Sequence, residues 1–156
     1  MRGGFDWTLL DIAAKYGQKD IVTFLISHDA DVQDKNTNQE TPLHFACGSY
    51  SDVFGISGIP IALTAENKLF RKDIVGILIQ KGADVNARTS TDETPLHRAV
   101  ALDDINTVEL LLEKGANINA RLNEFLYVGA NWTPLDVAKA HKNSEMVELL
   151  LKRGAQ

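Results

Sequence analysis

Apolar side chains recur along this chain at spacings of three and four residues, and polar, turn-rich segments separate the stretches that carry them. Such spacing places apolar side chains on one face of a helix. Two neighbouring stretches are defined by Leu96, Ala99 and Val100 and by Val108, Leu111 and Leu112. The pattern predicts pairs of short helices, with a polar turn segment after each pair.

The helical pairs are copies of one another. Four segments begin alike, at Thr8, Thr41, Thr94 and Thr133. The starts are spaced by 33, 53 and 39 residues. The second unit carries a 20-residue insertion between Cys47 and Arg71, and six extra residues follow Ile118 and Asn119. Internal periods of this length are typical of solenoid proteins, whose units stack side by side.

Local chemistry explains the shape of one unit. Thr94 is suited to cap a helix start, and Pro95 to the first helical position, where no amide donor is needed. Gly82 and Gly115 are suited to the left-handed residue that ends a second helix. Each unit is therefore predicted to be a helix–turn–helix followed by a β-turn finger. One unit cannot bury its apolar face alone, so the units must stack.

Two sequence blocks resemble the ankyrin-repeat family. The starts TPLHFA at 41–46 and TPLHRA at 94–99 resemble its signature, and KGADVNA at 81–87 resembles its second block. The resemblance implies an all-α fold, an ankyrin-repeat solenoid of stacked helix–turn–helix units with β-hairpin fingers. It further implies one domain, 1–156, with repeats at about 5–36, 37–89 (which includes the insertion), 90–128 and 129–156.

The units depart from the family pattern at several positions, most of them in the two outer units. Asp11 and Asp136 stand where the signature has histidine. Asp103 and Lys142 stand where a turn glycine is expected between the two helices, the position that Gly17 holds in the first unit. Terminal repeats are often irregular in this way.

The insertion in the second unit has two parts. Residues 53–61 are too apolar for a fully solvated loop and are expected to pack beside the solenoid, with a partner contact as the alternative. From Thr64 the pattern becomes helical, with Thr64 as the cap. The second helix of this unit is therefore predicted to be longer by two turns or more.

Composition narrows the classes of partner and location. The 156 residues carry a formal net charge of −5, which disfavours nucleic acid because its phosphates would be repelled. No apolar run approaches the roughly 20 residues that span a bilayer. A single cysteine, Cys47, excludes an intrachain disulfide. The expectation is a monomeric protein with no nucleic-acid or membrane partner, located inside the cell, in the cytoplasm.

The histidines invite a metal or catalytic interpretation, and the sequence disfavours it. For His44 and His97 the family resemblance implies structural hydrogen bonds to neighbouring turns. His28 and His141 have no carboxylate or cysteine at ligand spacing, and His28 is expected to lie exposed at a helix end.

Three other reactive side chains also receive structural interpretations. Cys47 occupies a small-residue core position and is expected to be a buried, inert thiol. Asp103 and Asp104 are expected to form a solvated turn rather than a pair of catalytic carboxylates. With no catalytic, cofactor-binding or metal-ligating constellation, the chain is not expected to be an enzyme.

The resemblance also implies where a partner binds, because this family uses its finger tips and first helices. The corresponding positions, unit by unit, are Phe5, Trp7 and Tyr16; Glu40; Glu93 and Leu102; and Phe125, Leu126, Tyr127, Trp132 and His141. Tryptophan and tyrosine are common among interface hot spots. The alternative is that the aromatic rings only pack on neighbouring fingers.

The function expected from these observations is a protein–protein interaction module or scaffold. Its partner is an unidentified protein, bound through the concave face and the finger tips. The alternative is a substrate-recruiting accessory segment of a larger enzyme, or a host-directed effector.

Overall fold

The computed structural model describes residues 6–48, 65–123 and 131–156, and the side chains of 65–70 are left out of that description. These ranges contain eight helices in four pairs. They are α1 (Leu9–Lys15), α2 (Lys19–Ser27), α3 (Pro42–Cys47), α4 (Ala65–Gln80), α5 (Pro95–Ala101), α6 (Ile105–Glu113), α7 (Pro134–Ala140) and α8 (Ser144–Lys152).

A threonine caps the start of the first helix in every pair, as predicted. In α1 the amide of Asp11 donates to Thr8 Oγ1 (3.1 Å), and the amide of Thr8 donates back to Asp11 Oδ2 (2.8 Å). In α5 the amide of Thr94 donates to His97 Nδ1 (3.3 Å), and Pro95 occupies the first turn. These reciprocal bonds satisfy amides that a helix start would otherwise leave unpaired.

The second helix of the second pair is longer than its counterparts. Helix α4 has 16 residues, whereas α2, α6 and α8 have nine each. Seven extra residues make about two helical turns, so the predicted extension is confirmed. The proposed cap, Thr64, and the apolar residues 53–61 lie outside the described residues, and the predictions about them stay predictions.

The pairs stack in register. First helices contact first helices, α1 on α3, α3 on α5 and α5 on α7, while α2 contacts α4 and α4 contacts α6. Equivalent leucines of the four pairs, Leu10, Leu43, Leu96 and Leu135, are all buried in one continuous core. The predicted all-α stack of helix–turn–helix units is therefore confirmed.

The fingers between pairs are hydrogen-bonded turns, and the described residues contain no strand. The finger of the second repeat is closed from the amide of Asn36 to the carbonyl of Glu40 (3.1 Å). The next finger is closed from Thr89 to Glu93 (3.0 Å). Backbone bonds also join neighbouring fingers, which fixes their spacing: Ser90 donates to Asn38 (2.8 Å) and Asn123 donates to Thr91 (3.0 Å).

In the first, third and fourth pairs, where the structure describes the turn between the two helices, a left-handed residue forms that turn. Gly17 holds it in the first pair with φ 71°, whereas Asp103 (φ 54°) and Lys142 (φ 57°) hold it in the last two. This conformation costs a residue with a Cβ about 1–2 kcal/mol, and less for aspartate than for most. The predicted departures from glycine therefore lie at strained positions.

Candidate functional site

A polar cleft lies between the fingers of the second and third repeats. Its volume is about 250 Å³, and its lining is formed by Asn38, Glu40, Thr89, Ser90, Thr91, Glu93 and Arg98. The walls are finger residues, whose backbones the bond from Ser90 to Asn38 ties together. The floor is a buried group of charges.

Arg98 is the centre of that floor and is 1% exposed. Its Nε donates to Glu93 Oε2 (2.7 Å), one terminal nitrogen donates to Glu40 Oε1 (2.6 Å), and the other donates to the carbonyl of Gly48 (3.0 Å). Asn36 Nδ2 donates to the second oxygen of Glu40 (2.6 Å). Burial alone would lower the pKa of Arg98, but the carboxylates of Glu93 and Glu40 raise it overall.

At the interface between the first and second repeats, the positions equivalent to Arg98 and Glu40 are apolar. Phe45 in α3 is at the position that Arg98 has in α5, and Trp7 directly precedes Thr8 as Glu40 directly precedes Thr41. The rings of Trp7 and Phe45 meet edge to face, with centroids 5.1 Å apart. An ion pair at the second interface thus replaces an aromatic pair at the first.

The structure gives Glu40 and Glu93 an internal role. Both were predicted to contact a partner, yet they are 6% and 7% exposed, and both carboxylates are bonded to Arg98. Buried ion pairs need such mutual satisfaction because each charge has lost its water. A direct partner contact by their carboxylates stays a prediction, and it would have to occur at the cleft floor.

Sequence reasoning missed Arg98. The available signal was its register, since the equivalent residues of the other units are Ile12, Phe45 and Val137. A charged residue at a position that is otherwise apolar indicates a buried partner of opposite charge.

The predicted contact residues of the first and third repeats differ in exposure. Trp7 is half-buried against Phe45, and Lys15 Nζ lies 4.9 Å from the centre of its ring. The alternative of packing on a neighbouring repeat therefore holds for part of this side chain. Tyr16, at the end of α1, is 52% exposed. Leu102 is half-buried and packs over Gly48, where an added Cβ would lie 2.5 Å from Leu102 Cδ1.

At the last repeat, Trp132 is half-buried and His141 is exposed at the end of α7. The carbonyl of Trp132 accepts hydrogen bonds from the amide of Leu122 (3.0 Å) and from His97 Nε2 (3.3 Å). The backbone of Trp132 is therefore structural, whereas part of its side chain stays accessible.

Four residues predicted to bind a partner lie outside the described residues. They are Phe5, Phe125, Leu126 and Tyr127. The six extra residues lengthen the finger between Asn119 and Thr133, in which Phe125 and Tyr127 lie. Their contact with a partner stays a prediction, as does the alternative that their rings fold back onto the neighbouring finger.

The structural interpretation of His44 and His97 is confirmed. In each, Nδ1 accepts the amide of its capping threonine, so the ring proton must be on Nε2. That Nε2 donates to the next repeat, to the carbonyl of Glu93 (3.2 Å) from His44 and to that of Trp132 from His97. Burial, with Arg98 adding, holds the pKa of His44 well below its usual range, and burial lowers the pKa of His97 to about 4.

Other reactive groups are also accounted for. Cys47 is buried, as predicted, and burial raises the pKa of its thiol to about 12. His28 is exposed at the end of α2, as predicted. The prediction of a solvated Asp103–Asp104 turn is wrong for Asp104. It is buried and caps α6, accepting hydrogen bonds from the amide (3.2 Å) and the hydroxyl (2.8 Å) of Thr107.

Among the described residues, no group of three or more histidine, cysteine, aspartate and glutamate side chains is arranged to hold a metal ion. No helix in the same ranges has the length and apolar character needed to cross a membrane.

Comparison with known families gives one match over most of the chain. The model for "Ankyrin repeats (3 copies)" matches residues 2–56 and 61–156. The interruption falls inside the insertion of the second repeat.

Similar proteins are diverse. A probable serine/threonine-protein kinase of Dictyostelium discoideum is 31% identical over 61% of this chain and 14% of its own length. A homologue of transient receptor potential cation channel subfamily A member 1 from Caenorhabditis elegans is 34% identical over 59% and 8%. The human BCL-6 corepressor-like protein 1 is 33% identical over 66% and 5%. The chain therefore spans a small part of each relative.

Proposed function

The chain belongs to the ankyrin-repeat family, and on this premise we propose that it is a protein-interaction module that binds a partner protein through its concave face and finger tips. Repeats of this family are generally protein-interaction modules. The function of the relatives as whole proteins does not carry over, because they share only the repeats with this chain.

The observation that supports this proposal most is the cleft between the fingers of the second and third repeats, residues 36–40 and 89–93. Its walls carry side chains that can donate and accept hydrogen bonds, and Asn38 and Ser90 are exposed there. The Arg98 network and the inter-finger backbone bond hold the walls in place. A rigid surface loses little conformational entropy on binding, which favours affinity.

The cleft is tested with a pair of serine variants. A partner is first captured from cell extract on the full chain and identified by mass spectrometry, and its Kd is then measured by calorimetry. Ser90→Arg places a long side chain in the cleft and should weaken binding about tenfold or more. Ser27→Arg makes the same change at an exposed position on α2 and should leave the Kd unchanged. Equal affinities for the two variants would contradict binding at the cleft.

The concave ends of the first helices are tested with a pair of aromatic variants. Tyr16 and Phe24 are 52% and 59% exposed, but Tyr16 ends a first helix and Phe24 lies on a second helix. Tyr16→Ala should weaken partner binding by about 2 kcal/mol if it is a hot spot. Phe24→Ala should not. The reverse order would place the partner on the outer face.

The lengthened finger is tested in the same assay. Phe125→Ala and Tyr127→Ala should each weaken binding by about 2 kcal/mol, with little effect on folding. If the double variant melts much earlier while the partner binds with unchanged affinity, the finger is structural.

A second function is favoured by one comparison. Because a similar set of repeats occurs in a protein named as a probable serine/threonine-protein kinase, these repeats could recruit a substrate for a catalytic segment elsewhere in a longer chain. We propose that residues 1–156 themselves are not an enzyme. A substrate turned over by the pure chain, with turnover abolished by one substitution, would refute this.

The proposal also covers the oligomeric state and the cellular location of the chain. We propose a monomer in a reducing, intracellular compartment, since its one cysteine is a buried free thiol. The net charge of −5 argues against nucleic acid as the partner. Light scattering on the purified chain and localisation of a tagged chain in cells would test these two points.

A further inference from the structure

Asp11 occupies the register of the two structural histidines, and one of its oxygens is buried without a partner. Its Oδ2 accepts the amide (2.8 Å) and the hydroxyl (2.9 Å) of Thr8, as Nδ1 of each histidine accepts its threonine. Its Oδ1 is buried, and no hydrogen-bond partner for it exists among the described residues. Asp11 as a whole is 1% exposed.

The stacking register indicates which carbonyl of the next repeat lies on the Oδ1 side of Asp11. In the next two repeats the second ring nitrogen of the histidine, Nε2, donates to the carbonyl of the residue before the following threonine, Glu93 or Trp132. For Asp11 the equivalent carbonyl is that of Glu40, which already accepts the finger-closing amide of Asn36 (3.1 Å). The carbonyls of Glu93 and Trp132 accept the equivalent amide and also the histidine, so this carbonyl can accept a second donor.

An ionised carboxylate cannot make that bond. Both of its oxygens are acceptors, so an ionised Oδ1 would leave a buried negative charge against a carbonyl oxygen. A protonated carboxyl, like the imidazole of His44 and His97, carries a donor in addition to the atom that accepts from the threonine. We propose that Asp11 is held as the neutral acid, that its Oδ1–H donates to the carbonyl of Glu40, and that the docking of the first repeat on the second therefore weakens as the pH rises from mildly acidic to neutral.

The surroundings of Asp11 agree with this. Burial raises its pKa from 3.8 to about 6 against the hydrogen bonds from Thr8, and the negative charges of Asp34 and Glu40 raise it further. The folded state thus binds the proton that the unfolded chain has lost. This contribution to stability is complete below pH 3.8 and is lost as the pH rises through about 6.

The other ionisable groups near Asp11 lie on α1 and on the two helices that contact it, α2 and α3. On α3, His44 has a lowered pKa and Cys47 a raised one, so both are neutral near pH 7. On α2, Lys19 pairs with Asp73 and Asp20 is exposed. On α1 itself, the Lys15 amino group lies over the ring of Trp7.

Asp136 supplies a matched control. It caps α7 as Asp11 caps α1, with the amide (2.9 Å) and hydroxyl (2.8 Å) of Thr133 on its Oδ2. It is only half-buried, and none of the described residues forms a following repeat over it. Partial burial opposes ionisation, but the bonds from Thr133 and the charges of Lys139 and Arg121 lower its pKa overall.

The test is urea unfolding of the full chain between about pH 4 and pH 8, followed by circular dichroism. Asp11→Asn keeps the shape and supplies a permanent N–H donor toward Glu40. The folding equilibrium constant of this variant, relative to the wild type, should rise about 60-fold from pH 4 to pH 8. Asp136→Asn should change in the opposite direction, because it removes a carboxylate that the fold favours ionised.

A second measurement serves if Asp11→Asn fails to fold. The side-chain carboxyl carbon of Asp11 is followed by NMR during a pH titration of the folded wild-type chain. A midpoint near 6 supports the proposal. A midpoint below about 4, or a pH-independent ratio between the Asp11→Asn variant and the wild type, would overturn it.

Discussion

Replacing Arg98 with methionine removes one charge and keeps most of the side-chain volume. The guanidinium makes three hydrogen bonds, at 2.6, 2.7 and 3.0 Å, and two of them end on carboxylates that are almost fully buried. The variant leaves Glu40 and Glu93 in the protein interior without a counter-charge. Removing one partner of a buried ion pair typically costs about 3–5 kcal/mol. Since a domain of this size has about 5–15 kcal/mol of stability, the loss is a large fraction.

The control is an exposed ion pair on the finger that carries Glu93. Arg88 lies 3.3 Å from Asp92, and their side chains are 45% and 44% exposed. Exposed pairs contribute about 0–1 kcal/mol, since water already solvates both charges. Arg88→Met should therefore lower the free energy of unfolding by about 1 kcal/mol at most.

The assay is urea unfolding at neutral pH, read by circular dichroism and by the fluorescence of Trp7 and Trp132. Adding Glu40→Gln and Glu93→Gln should restore part of the stability at neutral pH by removing the unpaired charges. If Arg98→Met destabilises no more than Arg88→Met, the account of the buried network is wrong.

Three further predictions concern single positions. His97→Ala should lower the free energy of unfolding by about 1–3 kcal/mol, whereas His141→Ala, at an exposed position, should not. Because the pKa of His97 in the folded protein is about 4, the contribution of His97 to stability is complete above pH 6.5 and is lost as the pH falls toward 4. An unchanged melting temperature of His97→Ala would contradict this role. Lys142→Gly should raise the free energy of unfolding by about 0.5–1 kcal/mol, because Lys142 is left-handed; Asp103→Gly should raise it by less, because aspartate tolerates that conformation better. A lower denaturation midpoint for Lys142→Gly would contradict backbone strain at this residue. Cys47 should resist a thiol reagent until the chain unfolds, because its thiol is buried with a pKa of about 12; rapid labelling of the native chain would disprove that burial.

The repeated features of the fold could be predicted from the sequence because they are local. Thr94 and Pro95 mark a helix start within two residues, and the length of α4 follows from one uninterrupted apolar pattern. The roles of His44 and His97 followed from the family resemblance. Each such feature depends on a few neighbouring residues or on a repeated block.

The cleft floor could not be predicted in this way. Arg98 is 58 residues from Glu40 along the chain, and only the stacking register brings the two together. That separation hid the burial of Glu40. Glu93 is only five residues before Arg98, but it too looked like an accessible finger residue because the burial of Arg98 had not been predicted. Asp104 was misjudged because its role depends on where α6 begins. An aspartate directly before a helix caps it, and the sequence alone does not distinguish that position from one in a solvated turn.

The three junctions between repeats are not equal in their chemistry, and this sets the order in which the stack should come apart. The first junction depends on Asp11 and the Trp7–Phe45 contact, and the third on the bond from His97. The middle junction has the bond from His44 and, in addition, the Arg98 network. In a linear array whose stability is a sum of nearest-neighbour couplings, the weakest couplings open first. Amide exchange should therefore be fastest in the outer helices, and the second and third repeats should persist as a paired nucleus while both ends fray.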